Sequence, residues 1–421
     1  MQCIPEKIFN SYNNIAVFLF FVLALIIPSG YSYGATLLLF GALFHFFVHN
    51  ENNVPFQIKN TKYILALLIT YFSIQLISVL IHHEEARELD KSARFLLAAF
   101  VLYALTKFPI RSKVFWASVA AGAVTTGLFA LYQRYHLGVY RVGGTNNPIQ
   151  YGNISMLLGV LSLAGLTWAL EKKRKLLWCS LLITGAFLAI LASFFSLSRG
   201  GWIGLPIIII FIISNLSTSI SKKTVIISLS IAMLSLFSAY KIESIGIKHR
   251  VDEAFSNIEH YIDGSNQGTS VGIRFNLWIN AYQLFSEKPI FGHGKEGYIT
   301  TKNEYINNNQ ASPHIGHFNQ AHNEILDTMA KRGLFGLSAL FALYIIPVLL
   351  FKPYLKHKNS DVRASAMAGC LLSFCYFDFG LTQGFLLHNS GTMMFAFTLV
   401  IITSVFTQEL RRANHSRCTD C

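Results

Sequence analysis

Apolar stretches separated by short polar breaks follow one another along most of this 421-residue chain. A helix crosses a bilayer with about 20 mainly apolar residues, and about twelve stretches approach that length. They run from Ile15 to Ile27, Gly34 to Val48, Tyr63 to Ile81, Phe95 to Leu105, Val114 to Leu131, Ile154 to Leu170, Leu176 to Phe195, Trp202 to Leu216, Thr224 to Tyr240, Leu334 to Phe351, Ala364 to Phe377 and Thr392 to Phe406. The first, fourth and eighth are short. The pattern predicts an all-α polytopic membrane protein. The first run ends at Pro28 without a small-x-small cleavage pattern, so it reads as an uncleaved span.

One stretch breaks the pattern. Lys241 to Arg332 is the only long polar segment, and a connection of that size is functional or separately folded rather than a mere link. Within it, apolar residues from Ile273 to Phe285 recur at helical spacing, which predicts an amphipathic helix on the surface of the bundle or membrane. Pro289 to Gly294 then forms a glycine-rich break. A helix is expected from Glu324 to Lys331, with Gly333 and Gly336 allowing close packing where the tenth span begins. The chain thus divides into spans one to nine (1–240), the loop (241–333), and spans ten to twelve with a tail (334–421).

Composition sharpens the class. With 53% hydrophobic and 13% charged residues and a mean hydropathy of +0.45, the chain has too little polar surface to cover a soluble globule. The formal charge of +13 sits in short clusters between spans, which points to membrane topology rather than to nucleic acid. Placing the N-terminus in the cytoplasm gathers Lys59 and Lys62, Lys107 to Lys113, Lys172 to Lys175, Lys222 and Lys223, Lys352 to Arg363 and Arg411 to Arg417 on the inside. Arg87, Lys91, Arg94, Arg134, Arg141 and Arg199 remain for the short outer loops. An even span count, both termini cytoplasmic and an outward long loop follow. None of the six cysteines falls in that loop, so no disulfide framework is expected there. His415, Cys418 and Cys421 read as ordinary tail residues rather than as a metal site.

Several residues can carry chemistry. Arg199 lies in Ser196-Leu-Ser198-Arg-Gly200-Gly201-Trp202 between two apolar runs, where a buried charge costs about 2.5 to 3.5 kcal/mol at mid-membrane depth. It is either an anion clamp, with the two glycines and Ser198 lending donors, or a snorkelling arginine that fixes a helix end. Arg274, on the amphipathic helix, has a fork suited to phosphate but is equally a solvated surface residue. His322 is the candidate general base, with Asn323 and Glu324 available to orient the ring or the acceptor; its plain alternative is a helix cap. The spacing of His293, His314, His317 and His322 does not put three imidazoles on one helical face, so no metal is expected. Arg141 to Gly152 is an amide-rich outer loop that can meet sugar hydroxyls or simply turn. His82 to Glu88 reads as a solvated face. Asp378, near the outer end of the eleventh span, is a candidate functional acid or an arginine's partner.

These motifs resemble a known family. Ser-Leu-Ser-Arg199-Gly-Gly-Trp at the head of a span is similar to the signature arginine segment of the O-antigen ligase and polymerase superfamily. Arg274 with Trp278, the Pro289-Ile-Phe-Gly-His-Gly294 turn, and His322-Asn323 followed by Gly333 and Gly336 resemble its ligase branch. The resemblance implies a glycosyltransferase that uses neither metal nor cofactor. Its donor would be O-antigen on undecaprenyl diphosphate, its acceptor lipid A-core, and its site the periplasmic face of a bacterial inner membrane. Arg199 and Arg274 would hold the diphosphate and His322 would activate the acceptor hydroxyl. An O-antigen polymerase, of which Arg141 and Gly152 are an echo, and a protein O-oligosaccharyltransferase are the alternatives within the superfamily. A flippase or transporter is the alternative outside it, but would need charges along several spans, and the middle spans are nearly free of them.

Overall fold

A computed structural model of the chain describes residues 3–48, 59–216 and 247–419. Helices are the only regular structure among the described residues, with no strand among them. The helices are α1 (Cys3–Leu23), α2 (Gly30–Val48), α3 (Lys59–Ile81), α4 (Asp90–Leu105), α5 (Ser112–Leu131), α6 (Pro148–Ala169), α7 (Lys175–Phe195), α8 (Leu205–Leu216), α9 (Ile247–Ile262), α10 (Ser270–Glu287), α11 (Gly294–Asn307), α12 (Glu324–Phe351), α13 (Ser360–Gly380) and α14 (Asn389–Thr419). Seven helical stretches among the described residues are long and apolar enough to cross a membrane, so this is a multi-pass membrane protein. The ninth apolar run, Thr224 to Tyr240, lies outside the described residues, as do Cys418 and Cys421 as side chains.

The bundle is built around α14, whose apolar positions from Met394 to Phe406 are almost wholly enclosed by α2, α3, α4 and α13. Around it, α6 packs on α7, α5 and α13, and α1 packs on α2 and α5. Small residues let these helices touch backbone to backbone: a side chain at Gly34 would strike the backbone of α1, and one at Gly127 that of α7. The outward faces carry Phe40, Phe44, Phe187, Ile207 and Leu349, all exposed, which is the surface a lipid-facing bundle needs.

Span ends differ from the apolar runs by a few residues where local chemistry intervenes. The first helix stops at Leu23, four residues before its run does, because 24–29 turn over with Ser29 in the left-handed region. The eighth starts at Leu205, with Pro206 in its first turn, since Arg199–Gly201 already forms a separate 3-10 turn.

Contacts between loops sort the polar segments into two ends. At one end Asn60 donates to Leu350 O (2.9 Å), and Asp361 takes both Ser112 Oγ (2.7 Å) and Lys172 Nζ (2.6 Å). Among the described residues that end collects the basic clusters; Lys222 and Lys223 lie outside them. At the other, His82 Nε2 meets Phe291 O (3.0 Å), Lys295 pairs with Glu88 (2.6 Å) and its N–H with Glu84, and Arg94 donates to Asn389 O (3.2 Å). His82 to Glu88 is therefore not a free solvated face; it holds the turn that ends in Gly294.

That turn is locked to α12. Gly333 adopts φ +60°, ψ −158°, a conformation open to glycine, and the break frees two N–H donors of the helix that resumes after it. Leu334 N donates to Pro289 O (2.8 Å) and Phe335 N to Ile290 O (3.0 Å), while His293 N donates back to Ala330 O (3.0 Å). The loop thus docks by mending a broken helix.

Candidate active site

The polar segment from Asn308 to Asn323 has little regular structure, so its carbonyls need partners from elsewhere. Two buried lysines supply them. Lys302 Nζ donates to Ile315 O, Gly316 O and Phe318 O (3.2, 2.9 and 2.6 Å), and Lys331 Nζ donates to Asn319 O (2.8 Å) while pairing with Asp327 (2.8 Å) over the Tyr298 ring. Asp327 in turn accepts from Ala321 N (2.9 Å). The chain is so pinned up to Ala321, and the next residue, His322, takes φ +48°. A left-handed non-glycine residue costs of order 1 to 3 kcal/mol and persists only where its surroundings dictate it.

The His322 ring projects to the connection between α13 and α14. Its Nδ1 lies 2.7 Å from Gln383 Oε1, and Gln383 Nε2 lies 2.7 Å from His388 Nε2; the Phe318 ring packs edge-on beside it. Asn323 and Glu324 do not orient this ring. Asn323 caps α12 through Ile325 N and Leu326 N (3.0 and 3.1 Å) and donates to Leu381 O (3.1 Å), and Glu324 turns away to accept from Leu386 N (2.9 Å). Both fasten the 381–386 connection; Gln383 does the orienting. Gln383 and His388 were legible only as a polar break between two apolar runs, a signal too general to single them out.

The Arg199 turn meets the same connection. A side chain at Gly200 would collide with Thr382 Oγ1, next to Gln383, and one at Gly201 would come within 2.8 Å of Asn153 Oδ1 and against Phe379. Close approach therefore explains the two glycines, not a left-handed backbone: Leu197 is the positive-φ residue here, at 53°. Ser198 is buried, its N–H donating to Ser196 Oγ (3.2 Å). Arg141 Nε donates to Ser196 O (3.2 Å), so the amide-rich loop braces the turn rather than standing free. Asp378 takes Gly204 N (2.6 Å), not an arginine.

Arg274 lies one helical turn into α10, which packs on α12, and its Nη1 donates to Ser270 O (3.0 Å). Its charge acts on His322. Burial is the largest influence lowering the His322 pKa below the usual imidazole value, the Gln383 hydrogen bond raises it, and Arg274 lowers it again. The other histidines disperse: His293 Nε2 binds Leu284 O (2.9 Å), and His314 stands against Gly268.

Thus the general-base candidate and the glycine turn that follows Arg199 bear on one connection, and Arg274 lies within electrostatic reach of the histidine. Because His322 works as a base only when neutral, any activity that uses it should rise through a pKa below 6.5 and level off. Removing the Arg274 cation relieves its repulsion of the imidazolium. Arg274→Ala should therefore move that limb to higher pH, as a rate–pH profile on membranes would record; a limb that stays put or moves to lower pH contradicts the coupling.

The architecture and this cluster define a polytopic helical membrane protein with a candidate acid–base site on an extramembrane loop. The O-antigen ligase family profile matches residues 184–341, a span that contains Arg199, Arg274 and His322. An uncharacterized protein of Haemophilus influenzae is 32% identical over 393 residues, covering 93% of this chain and 98% of the relative. The chain belongs to the O-antigen ligase superfamily.

Proposed function

We propose that this protein is an O-antigen ligase, which transfers O-antigen polysaccharide from undecaprenyl diphosphate to a sugar of lipid A-core. One observation carries the reading: the His322 base and the Arg199 turn bear on adjacent residues, Gln383 and Thr382, with Arg274 close enough to act on the imidazole. The acceptor hydroxyl oxygen attacks the anomeric carbon and its proton passes to His322. The bond from that carbon to the phosphate oxygen breaks on the opposite face, inverting the centre, and undecaprenyl diphosphate departs. Arg199 and Arg274 stabilise the charge that grows on the leaving diphosphate. Arginine suits this role because its fork matches phosphate oxygens.

In this reading the chain has twelve spans, the loop of 241–333 faces the periplasm from the inner membrane, and both termini are cytoplasmic. The clustering of basic residues at the opposite end of the bundle supports that orientation. An activated donor outside the inner membrane has to be lipid-borne, since nucleotide sugars are not available there.

Lipopolysaccharide from a deletion strain tests the assignment. Free core, with polymerised glycan left on its carrier, is the expected result. Core bearing a single repeat would instead assign an O-antigen polymerase, and normal capped core with a changed glycoprotein would assign a protein O-oligosaccharyltransferase.

A further inference from the structure

The three groups His322, Gln383 and His388 form a short hydrogen-bonded line, of which only the first lies within the family match. An amide has one accepting end and one donating end. Gln383 presents Oε1 to His322 and Nε2 to His388. His322 Nδ1 is then the protonated nitrogen, and its Nε2 keeps the lone pair. Were the amide reversed, Nδ1 would accept, Nε2 would carry the proton, and no base would remain. The amide is buried, so water does not substitute for either contact.

We propose that His388, acting through Gln383, is a positioning residue that sets which nitrogen of His322 is protonated and so keeps Nε2 free to take the acceptor's proton. This rests on His322 being the base in the proposed reaction. His388 fits the task because it stays neutral: burial, followed by His322 and Lys91, holds its pKa down to about 4. In its Nδ1–H tautomer the neutral ring leaves Nε2 free to accept from Gln383. When His322 gains a proton, Gln383 Oε1 faces the new cation and is polarised by the hydrogen bond its own amide gives to His388. Among the described residues the charged and titratable neighbours are few. Arg274, Asp327 and Lys331 act on His322 from α10 and α12, and Lys91 acts on His388 from α4, where Arg94 also holds Asn389 O.

Two substitutions of comparable size and opposite hydrogen-bonding character isolate the effect. His388→Lys offers only donors and forces the Gln383 amide to reverse, whereas His388→Glu offers only acceptors and preserves its direction. In purified full-length protein with labelled histidine, the His322 imidazole signals, assigned by difference against His322→Asn, should change from the Nδ1–H to the Nε2–H pattern in the lysine variant only. The kcat for transfer from a lipid-diphosphate-linked glycan should fall about a hundredfold with lysine while KM for that donor holds, and glutamate should rescue it to within about fivefold. Equal losses in both variants with an unchanged His322 signature would overturn the proposal. The signature is read without turnover, so it separates this inference from the reaction: if His322→Ala still transfers glycan, the reaction assigned above fails while the tautomer result stands or falls by itself.

Discussion

His322→Ala should lower glycan transfer to lipid A-core by about a hundred- to ten-thousand-fold, the usual contribution of a positioned general base, while the protein still inserts and folds. Folding brings the ring to Gln383 by way of a left-handed backbone at His322 and a preceding segment held by Lys302, Lys331 and Asp327. The substitution removes one edge-on ring contact with Phe318 and the Gln383 bond, and leaves those anchors alone. The bundle core, which lies along α14 and its neighbours, is untouched. Attachment of glycan to core at the parental level in a strain carrying this variant would remove His322 from the chemistry. Loss of the protein from the membrane would make the residue a folding element instead.

Lys302→Met should cost roughly 3 kcal/mol in the loop and abolish activity indirectly, although Lys302 touches no candidate substrate. A fully enclosed ammonium satisfies three carbonyls at once, and leaving a buried acceptor unpaired costs about 1 to 3 kcal/mol before any relaxation. Burial, and then the nearby Lys331, press the Lys302 pKa down, so the site holds this charge only because the carbonyls demand it. Methionine matches its length and supplies no donor. The expected signature is fast amide exchange confined to residues 315–322, with the spans unaffected. Unchanged protection there, or cooperative unfolding of the whole bundle, would show that the lysine does not have this role.

Most of the architecture was legible in one dimension, because a span in lipid must satisfy its own backbone and so must be a long apolar helix. The run from Leu176 to Phe195 matches α7 to within one residue, and that from Tyr63 to Ile81 ends where α3 ends, the helix starting four residues earlier at Lys59. The helix expected over Ile273 to Phe285 is α10, and the described basic clusters around Lys172 and Arg363 do gather at one end. The candidate site residues were less legible. Arg199 stood out by its place between two apolar runs, His322 as an imidazole in the polar loop, and Arg274 through the family resemblance. Asn323 and Glu324 stood out merely by adjacency, and the fold gives them to helix capping and to Leu386. Gln383 lies 61 residues from His322 and carries no charge, so nothing in its local sequence marks it.

By itself, then, the order of residues determined a helical membrane bundle, its segregated charge and the one polar loop in which unusual side chains collect. These follow from desolvation, which acts on each segment alone. Only the folded chain decided that Pro289 and Ile290 mend the break at Gly333, that Lys302 holds the strand of backbone before His322, and that Gly200 and Gln383 bring two distant motifs to one connection. Those are pairings between groups far apart in the chain, each fixed by a donor that must find an acceptor once water is gone.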